Sequence, residues 1–255
     1  MKSAQVYIVG AGPGDPELIT LKGKRLLGEA DVVIYAGSLV HPALLSHAKQ
    51  GARIYNSASM TLPEVIAVME ESAARGEMVV RLHTGDPAIY GAIQEQMDEL
   101  DKRGISYEVV PGVSSFLATA AALRQEYTLP DVSQTVIVTR NEGRTPVPSK
   151  EKLSSLASHQ ATMCIFLSVH MIEDVVQELR EGGYPADTPI AVVQRASWPE
   201  QKIVRATLET IAQKLADEKI DRTAMIVVGK CLDASYALSR LYAPEFAHGY
   251  RDARP

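Results

Sequence analysis

Two glycine-containing turns each follow an apolar stretch whose pattern predicts a buried strand. Both turns could present backbone amides to a ligand. The first is Gly10–Pro16, after the apolar run Val6–Val9, and the second is Thr84–Pro87, after Met78–His83. Each turn ends in Asp-Pro, where Asp can cap a helix and Pro fits the first helical turn. This arrangement places N–H groups at the carboxyl end of a sheet, where α/β proteins bind ligands. An ordinary βα loop would have the same features.

The first glycine turn differs from the loops that bind dinucleotides or ATP. Its spacing is GxGxG, so the third glycine falls one position early for GxGxxG. The next predicted strand, Asp31–Tyr35, does not end in the acidic residue that holds a ribose in a Rossmann domain. Lys24 is followed by Arg25 inside a predicted helix, which disfavours a P-loop. These features argue against both a nicotinamide site and an ATP site.

Other residues that could carry chemistry form no recognisable catalytic motif. His41 and His47 are six positions apart without HExxH, and no GxSxG occurs. Cys164 and Cys231 lie in apolar runs without CxxC spacing, so we expect buried core residues in a reducing, cytoplasmic setting. The sequence therefore nominates no catalytic side chain and no metal ligand.

A run of basic residues follows the predicted strand Thr135–Val138 and includes Arg140, Arg144, Lys150 and Lys152. It is either a solvated loop or a lip that binds carboxylates, which pair well with arginine. The net charge of −5 argues against a nucleic-acid partner but leaves room for a local basic pocket. No stretch has the length of a membrane helix and no signal peptide is evident, so we expect no membrane partner.

Strand-like runs alternate with helical patterns and predict an α/β protein. Five strands with intervening helices in the first half indicate a doubly wound, mostly parallel layer. We expect helices directly after both Asp-Pro pairs, the second carrying Ile93, Met97 and Leu100. In the second half, Pro189–Gln194 and Lys202–Ala206 predict an antiparallel hairpin. The predicted domains are 1–113 and 114–240, with a tail over 241–255.

Five stretches in register resemble the tetrapyrrole methylases, which transfer a methyl group from S-adenosylmethionine (SAM) to corrin precursors or related substrates. They are Gly10–Pro16, Tyr35–Val40 (YAGSLV), Leu82–Ala92 (LHTGDPAIYGA), Pro111–Ser115 (PGVSS) and Thr223–Gly229 (TAMIVVG). YAGSLV, LHTGDPAIYGA and Thr139–Pro148 (TRNEGRTPVP) resemble the branch that methylates ring position 11 of precorrin-4 or cobalt-precorrin-4. The resemblance extends over roughly residues 4 to 240.

This resemblance implies two αβα domains that face each other across a cleft, and a homodimer. The sheet would be mostly parallel in the N-terminal half and mixed in the C-terminal half. Carried over by position, the cofactor-binding residues are Pro13, Gly85, Asp86, Ile89, Ser114, Ser115, Ser168, Ala196, Thr223 and Ala224. Arg140 and Arg144 are the candidate substrate-binding residues.

Methyl transfer from SAM, which leaves S-adenosylhomocysteine (SAH), agrees with the lack of a catalytic motif. The electron-rich tetrapyrrole carbon attacks the methyl group, so the protein mainly has to align the reactants in a water-poor site. The implied function is SAM-dependent C-methylation of (cobalt-)precorrin-4 in cobalamin biosynthesis. Another corrinoid or uroporphyrinogen methylase of the family, a nucleotide-dependent oxidoreductase and a non-enzymatic small-molecule sensor are the alternatives.

Overall fold

The computed structural model describes residues 4–233 and 235–254, which form two compact units. The first unit contains the chain up to Thr119 together with Arg195–Gln201, and the second contains the remainder. The segment Arg195–Gln201 joins two strands of the second unit but belongs to the first. Within the described ranges, no helix is long and apolar enough to cross a membrane.

The first unit is built on a five-stranded parallel sheet, in the order β3-β2-β4-β1-β5. The apolar runs are buried because helices cover both faces, as is usual for parallel sheets. The prediction of a doubly wound, parallel first half is confirmed. The strands are β1 (Val6–Gly10), β2 (Val32–Tyr35), β3 (Arg53–Asn56), β4 (Val79–His83) and β5 (Tyr107–Val110).

Three helices pack on this sheet: α1 (Leu21–Glu29), α2 (Leu62–Ala74) and α3 (Gln94–Lys102). Helix α4 (Ser115–Leu123) begins in the first unit and ends in the second. Helix α1 packs on one face through Leu26 and Leu27, and α2 and α3 pack on the other. A short 3-10 helix also spans Pro42–His47. The sheet therefore has different helices on its two faces, which matters for the pocket described below.

The prediction of helices directly after the two Asp-Pro pairs is met by a short 3-10 helix at the first pair and is wrong at the second. Asp15 caps the 3-10 helix Pro16–Leu18, since its side chain accepts from the Glu17 N–H, and the longer helix α1 begins only at Leu21, which is 89% exposed. After Pro87 the chain makes turns, and α3 begins only at Gln94. Tyr90 and Ala92 have φ of 55° and 49°, values that no α-helix contains. The backbone between Pro87 and Gln94 therefore interrupts the helix that periodicity predicted.

The second unit contains a mixed sheet in the order β6-β7-β10-β8-β9, in which only β6 and β7 are parallel. Both the mixed sheet and the β8–β9 hairpin are as predicted. Cys164 and Cys231 are buried free thiols, also as predicted. The elements are β6 (Val136–Arg140), α5 (Leu153–Ala157), β7 (Thr162–Phe166), α6 (Ile172–Glu181), β8 (Pro189–Gln194), β9 (Lys202–Thr207), α7 (Ile211–Glu218) and β10 (Ala224–Val228).

Candidate functional site

Backbone hydrogen bonds join the turns that follow β1 and β4 at the carboxyl edge of the first sheet. The Gly85 N–H donates to the Gly12 carbonyl at 2.7 Å, and the Gly12 N–H donates back to Gly85 at 3.3 Å. The Ala11 N–H donates to the His83 carbonyl at 2.7 Å. The two glycine turns therefore form one continuous backbone surface.

Glycine is required where the turn after β5 meets the other two. A Cβ atom on Gly10 would lie 2.6 Å from the Gly112 Cα and 2.7 Å from the Gly85 carbonyl oxygen. A Cβ atom on Gly112 would overlap the same carbonyl oxygen and lie 2.8 Å from the Gly10 Cα. Because every obstacle is backbone, no side chain can move aside. Three turns thus pack closely at an edge that carries few side chains, which suits close approach of a ligand to backbone.

Asp86 binds two of these turns together. Its Oδ1 accepts a hydrogen bond from the Ala88 N–H at 2.8 Å, and its Oδ2 accepts one from the Gly112 N–H at 2.9 Å. The carboxylate therefore fixes the turn after β5 against the turn after β4. This is a positioning role, since both oxygens are already engaged with backbone.

Three further sequence-predicted residues lie beside Asp86. Ser114 is buried at the start of α4, where its carbonyl accepts from the Leu117 N–H at 3.1 Å, and Ser115 is the first residue of that helix. The Cβ position of Gly85 is 3.7 Å from the Ser114 Cα. Ile89 holds an exposed apolar side chain on the turn after β4. The first unit therefore brings Gly85, Asp86, Ile89, Ser114 and Ser115 to one edge.

The segment Arg195–Gln201 holds the first glycine turn. The Trp198 indole N–H donates to the Pro13 carbonyl at 2.9 Å, and the Ser197 hydroxyl accepts from the Asp15 N–H at 3.0 Å. Ala196 is buried between two residues with positive φ, so this segment adopts a specific, constrained path. Together with the turns at 10–16, 84–89 and 111–115, it forms what we call the loop edge. Sequence reasoning missed Trp198, although a single tryptophan in a short hairpin connection was a usable signal.

The remaining candidates lie at one edge of the second sheet. Ser168 is buried after β7, and its hydroxyl donates to the Phe166 carbonyl at 2.7 Å and accepts from the Asn141 N–H at 2.8 Å. Thr223 is exposed with φ of 52°, and Ala224 pairs with Gln194. Because β10 runs antiparallel to β7 and β8, its start lies where those strands end.

The two candidate substrate arginines differ in their surroundings. Arg140 is the last residue of β6, which corrects the expectation that it lies in a loop after the strand. Its guanidinium donates to the carbonyls of Asn141, Thr145 and Pro146 at 3.2, 3.0 and 2.8 Å. Arg144 is exposed and makes no hydrogen bond or ion pair with any residue that the structure describes. Arg140 thus shapes the loop, and Arg144 is available to an anion.

Arg81 and His83 are two buried titratable side chains on β4. The sequence predicts a buried strand for both and assigns them no role in a site. They are 7% and 5% exposed. Burial lowers the pKa of Arg81 to about 10, and burial together with the Arg81 charge lowers the pKa of His83 to about 3. His83 is therefore neutral at physiological pH. Basic residues inside an otherwise apolar run were the signal that could have marked them.

The depressed pKa of His83 predicts a loss of stability in acid. Below pH 6.5, His83 is protonated in the unfolded chain but stays neutral in the folded protein. The free energy of unfolding is therefore unaffected by this group above pH 6.5 and decreases as the pH falls from 6.5 towards 3. We expect a loss on the order of 2 kcal/mol between pH 7 and pH 5 from this group. Urea unfolding of wild type and of His83→Gln should show a shallower pH dependence in the variant.

The matched control for this measurement is His159→Gln, because His159 is exposed. Its variant should keep the pH dependence of the wild type. If His83→Gln also keeps it, then His83 is protonated in the folded protein and the prediction is wrong.

The chain matches the model of the Tetrapyrrole (Corrin/Porphyrin) Methylases over residues 5–212. In the part of the chain that is described, no group of three or more His, Cys, Asp or Glu side chains is placed to hold a metal ion.

Relatives with named activities resemble the chain over nearly its full length. A cobalt-precorrin-4 C(11)-methyltransferase from Methanocaldococcus jannaschii is 61% identical, covering 97% of this chain and 96% of the relative. The X-ray structure of a cobalt precorrin-4 methyltransferase matches with a TM-score of 0.88 and 50% identity, over 90% of this chain and 96% of that one. The structure of a uroporphyrin-III C-methyl transferase from Thermus thermophilus, complexed with SAH, matches with a TM-score of 0.75 and 31% identity. The match covers 90% of this chain and 99% of that one.

Proposed function

Because the chain belongs to the tetrapyrrole (corrin/porphyrin) methylases, we propose that it transfers a methyl group from SAM to C-11 of precorrin-4 or cobalt-precorrin-4 in cobalamin biosynthesis, giving (cobalt-)precorrin-5. The observation that carries this proposal is the 61% identity, over almost the whole chain, to a relative named for the cobalt form of the reaction. The substrate of another family member, such as uroporphyrinogen, is the second candidate because a uroporphyrin methylase shares the fold.

The loop edge fits a ligand that approaches backbone closely. The positions of Gly10 and Gly112 leave no room for a Cβ atom, and Gly85 has φ of +60°. A site of this kind offers N–H and carbonyl groups to polar atoms, and Ile89 offers an apolar contact. When bound, SAM supplies an electrophilic methyl group on a sulfonium. The residues proposed to bind it are Pro13, Gly85, Asp86, Ile89, Ser114, Ser115, Ser168, Ala196, Thr223 and Ala224.

In this proposal the chain's residues bind, align and shield the reactants. Asp86 and Trp198 hold the turns in place through backbone contacts rather than by touching reacting atoms. Alignment of attacking carbon, methyl and sulfur can contribute several kcal/mol to catalysis. No protein nucleophile is needed because the tetrapyrrole carbon attacks. We therefore assign no catalytic side chain.

The test is methyl transfer by the purified protein from isotope-labelled SAM to cobalt-precorrin-4, precorrin-4 and uroporphyrinogen III. We expect one labelled methyl group at C-11 of the precorrin, located by mass spectrometry and NMR. Turnover of uroporphyrinogen III alone would replace the proposal with another methylase activity. Binding of NAD in place of SAH, measured by calorimetry, would favour the oxidoreductase alternative.

The same family membership supports a homodimer in the cytoplasm as part of the proposal. Sedimentation equilibrium of the purified protein at several concentrations tests the dimer, and fractionation of the source cells tests the location. A mass equal to one chain of 27.7 kDa throughout would exclude a stable dimer.

Arg144 and Arg140 should respond differently to truncation. Arg144→Ala should raise the KM for the tetrapyrrole by up to about fivefold at low salt, since an exposed charge pair is worth up to about 1 kcal/mol. The effect should shrink as salt screens the charge. Arg140→Ala should also lower thermal stability, because three carbonyls lose their donor.

Arg180→Ala is the control, since Arg180 is an exposed arginine on α6 away from this loop. It should leave the KM unchanged. If Arg144→Ala and Arg140→Ala also keep the wild-type KM at low salt, the loop is only a solvated connection.

A further inference from the structure

The first unit contains a pocket of about 350 Å³ between the segments that follow β2 and β4. The segment after β2 packs Val40 and Leu44 on one face of the sheet, and α3, after β4, packs Leu100 on the other face. Neighbouring strands whose connections leave towards opposite faces open a crevice at the carboxyl edge of a sheet. The pocket occupies such a crevice, and its lining includes Arg81 and His83.

Arg81 brings a poorly compensated positive charge to this pocket. Its Nε donates to the Gln96 side-chain oxygen at 3.3 Å and its Nη1 to the Ile34 carbonyl at 3.4 Å. Both acceptors are neutral, both bonds are long, and no carboxylate of the described chain pairs with the guanidinium. A guanidinium has five N–H donors, and a buried charge is costly unless it is paired. A carboxylate that entered the pocket would supply the missing partner.

His83 adds an unpartnered polar atom to the same lining. Its Nε2 is buried and has no hydrogen-bond partner among the residues that the structure describes. Residues two apart on a strand lie on the same face, so His83 and Arg81 both belong to the face of β4 that α2 and α3 cover. Burial holds the pKa of His83 far below its usual value, which keeps the imidazole neutral. In the tautomer protonated at Nε2, it can donate one hydrogen bond to an anion.

We propose that this pocket binds a carboxylate group of a bound small molecule, with Arg81 as its counter-charge and His83 as a second donor. The identity of that molecule rests on the proposed function. An acetate or propionate arm of the tetrapyrrole carries this group, and so does the methionine end of SAM. The volume is at the lower end for small-molecule sites, so it suits one arm rather than a macrocycle. Glu95 also lines the pocket but is exposed, so solvent screens its charge more than that of Arg81.

The first test is Arg81→Met, which keeps the length of the side chain and removes its charge. We measure the KM and kcat for the tetrapyrrole and, separately, the Kd for SAH by calorimetry. A tetrapyrrole arm in the pocket should raise the KM by about tenfold or more, the value of a charge-assisted hydrogen bond, and leave the Kd for SAH unchanged. A methionine carboxylate in the pocket should instead raise the Kd for SAH. Arg25→Met is the control, since Arg25 is exposed on α1 and pairs with Glu29.

The second test adds charge without altering the buried strand, and it decides the question if Arg81→Met does not fold. Ser38 is exposed in the lining, so the negative charge of Ser38→Asp should repel a bound carboxylate. It should raise several-fold whichever constant Arg81→Met raises, the tetrapyrrole KM or the Kd for SAH, and by more at low salt. Ser46→Asp, at an exposed serine outside the lining, is the matched control.

A rise in the tetrapyrrole KM or in the Kd for SAH that the controls do not reproduce supports the proposal. Which of the two rises shows whether the carboxylate belongs to the tetrapyrrole or to SAM. Wild-type values of both constants in Ser38→Asp, and in Arg81→Met where it folds, would overturn it. Wild-type turnover is measured first, so a failure of the proposed methylation is recognised independently. The SAH measurement still tests the pocket in that case.

Discussion

Gly112→Ala should weaken SAH binding by at least about tenfold, because the added methyl group has no space at the loop edge. The new Cβ atom would overlap the Gly85 carbonyl oxygen and lie 2.8 Å from the Gly10 Cα. Overpacking of this kind costs about 1–3 kcal/mol, and here the strain falls on the turns proposed to bind the cofactor. Calorimetric titration with SAH measures the loss, and the fluorescence of the single tryptophan, Trp198, offers a second measure.

Gly28→Ala is the control for this change. Gly28 is exposed on α1, and its added Cβ atom would meet only the His47 carbonyl oxygen at an ordinary 3.4 Å. It should bind SAH like the wild type and gain roughly 0.5–1 kcal/mol of stability from better helix propensity. Wild-type affinity in Gly112→Ala would show that the three turns can separate without harm, against the proposed site.

Gly85→Ala should have a smaller effect than Gly112→Ala, although Gly85 is among the cofactor-binding residues predicted from the sequence and Gly112 is not. Its Cβ atom would meet Ser114 at 3.7 Å, which is an ordinary contact, so only the φ of +60° opposes the side chain. A left-handed conformation costs a non-glycine residue about 1–2 kcal/mol. Thermal unfolding together with SAH titration of the two variants ranks them, and equal losses would contradict this reasoning.

Asp86→Ala should weaken SAH binding by about ten- to a hundredfold. The change removes the carboxylate that accepts from the partly buried Gly112 N–H and from the exposed Ala88 N–H, and a hydrogen bond to a charged group contributes about 1.5–3 kcal/mol. The turn after β5 would then lose its attachment to the turn after β4. SAH titration and steady-state kinetics should show a higher Kd and KM for the cofactor, with the tetrapyrrole KM less affected.

Asp86→Asn separates this role from one that depends on charge. The amide keeps one acceptor oxygen, so the variant should retain one of the two hydrogen bonds and lie between wild type and Asp86→Ala. Asp98→Ala is the control, because Asp98 is exposed and accepts only from the Gln94 side chain among the described residues. If Asp86→Asn binds SAH no better than Asp86→Ala, the negative charge itself is what matters.

Local sequence predicted the strands well because the sheet residues are buried on both faces and form apolar runs, as in Val6–Val9. It failed at Pro87 because the partner of the Asp86 carboxylate, the Gly112 N–H, is 26 positions away. An Asp-Pro pair looks like a helix start when only its near neighbours are considered. The same limit explains Arg140, which pairs in register with Phe166 of β7 and so remains in the strand.

The sequence predicted the parts of the candidate site that depend on local backbone conformation. It did not predict the parts that depend on contacts between residues far apart in the chain. Gly85 and its turn stand out in the sequence because glycine next to Asp-Pro has a local meaning. Trp198 is noticeable as the single tryptophan, but its role is not, since its partner Pro13 is 185 positions away. Arg81 was not predicted as a site residue because a basic residue inside an apolar run is usually a strand residue with its charge satisfied. The structure adds that its hydrogen-bond acceptors are neutral and that it lines a pocket.

The discontinuity of the first unit has a consequence for the order in which a newly made chain can assemble. Residues up to Thr119 leave the ribosome before Arg195–Gln201 has been synthesised. Until then, the Pro13 carbonyl has no indole donor and the Asp15 N–H has no serine acceptor. Pairing of β8 with β9 then fixes both ends of the missing segment. A nascent chain that stops at residue 194 therefore carries every strand of the first sheet but lacks the residues that hold its first glycine turn.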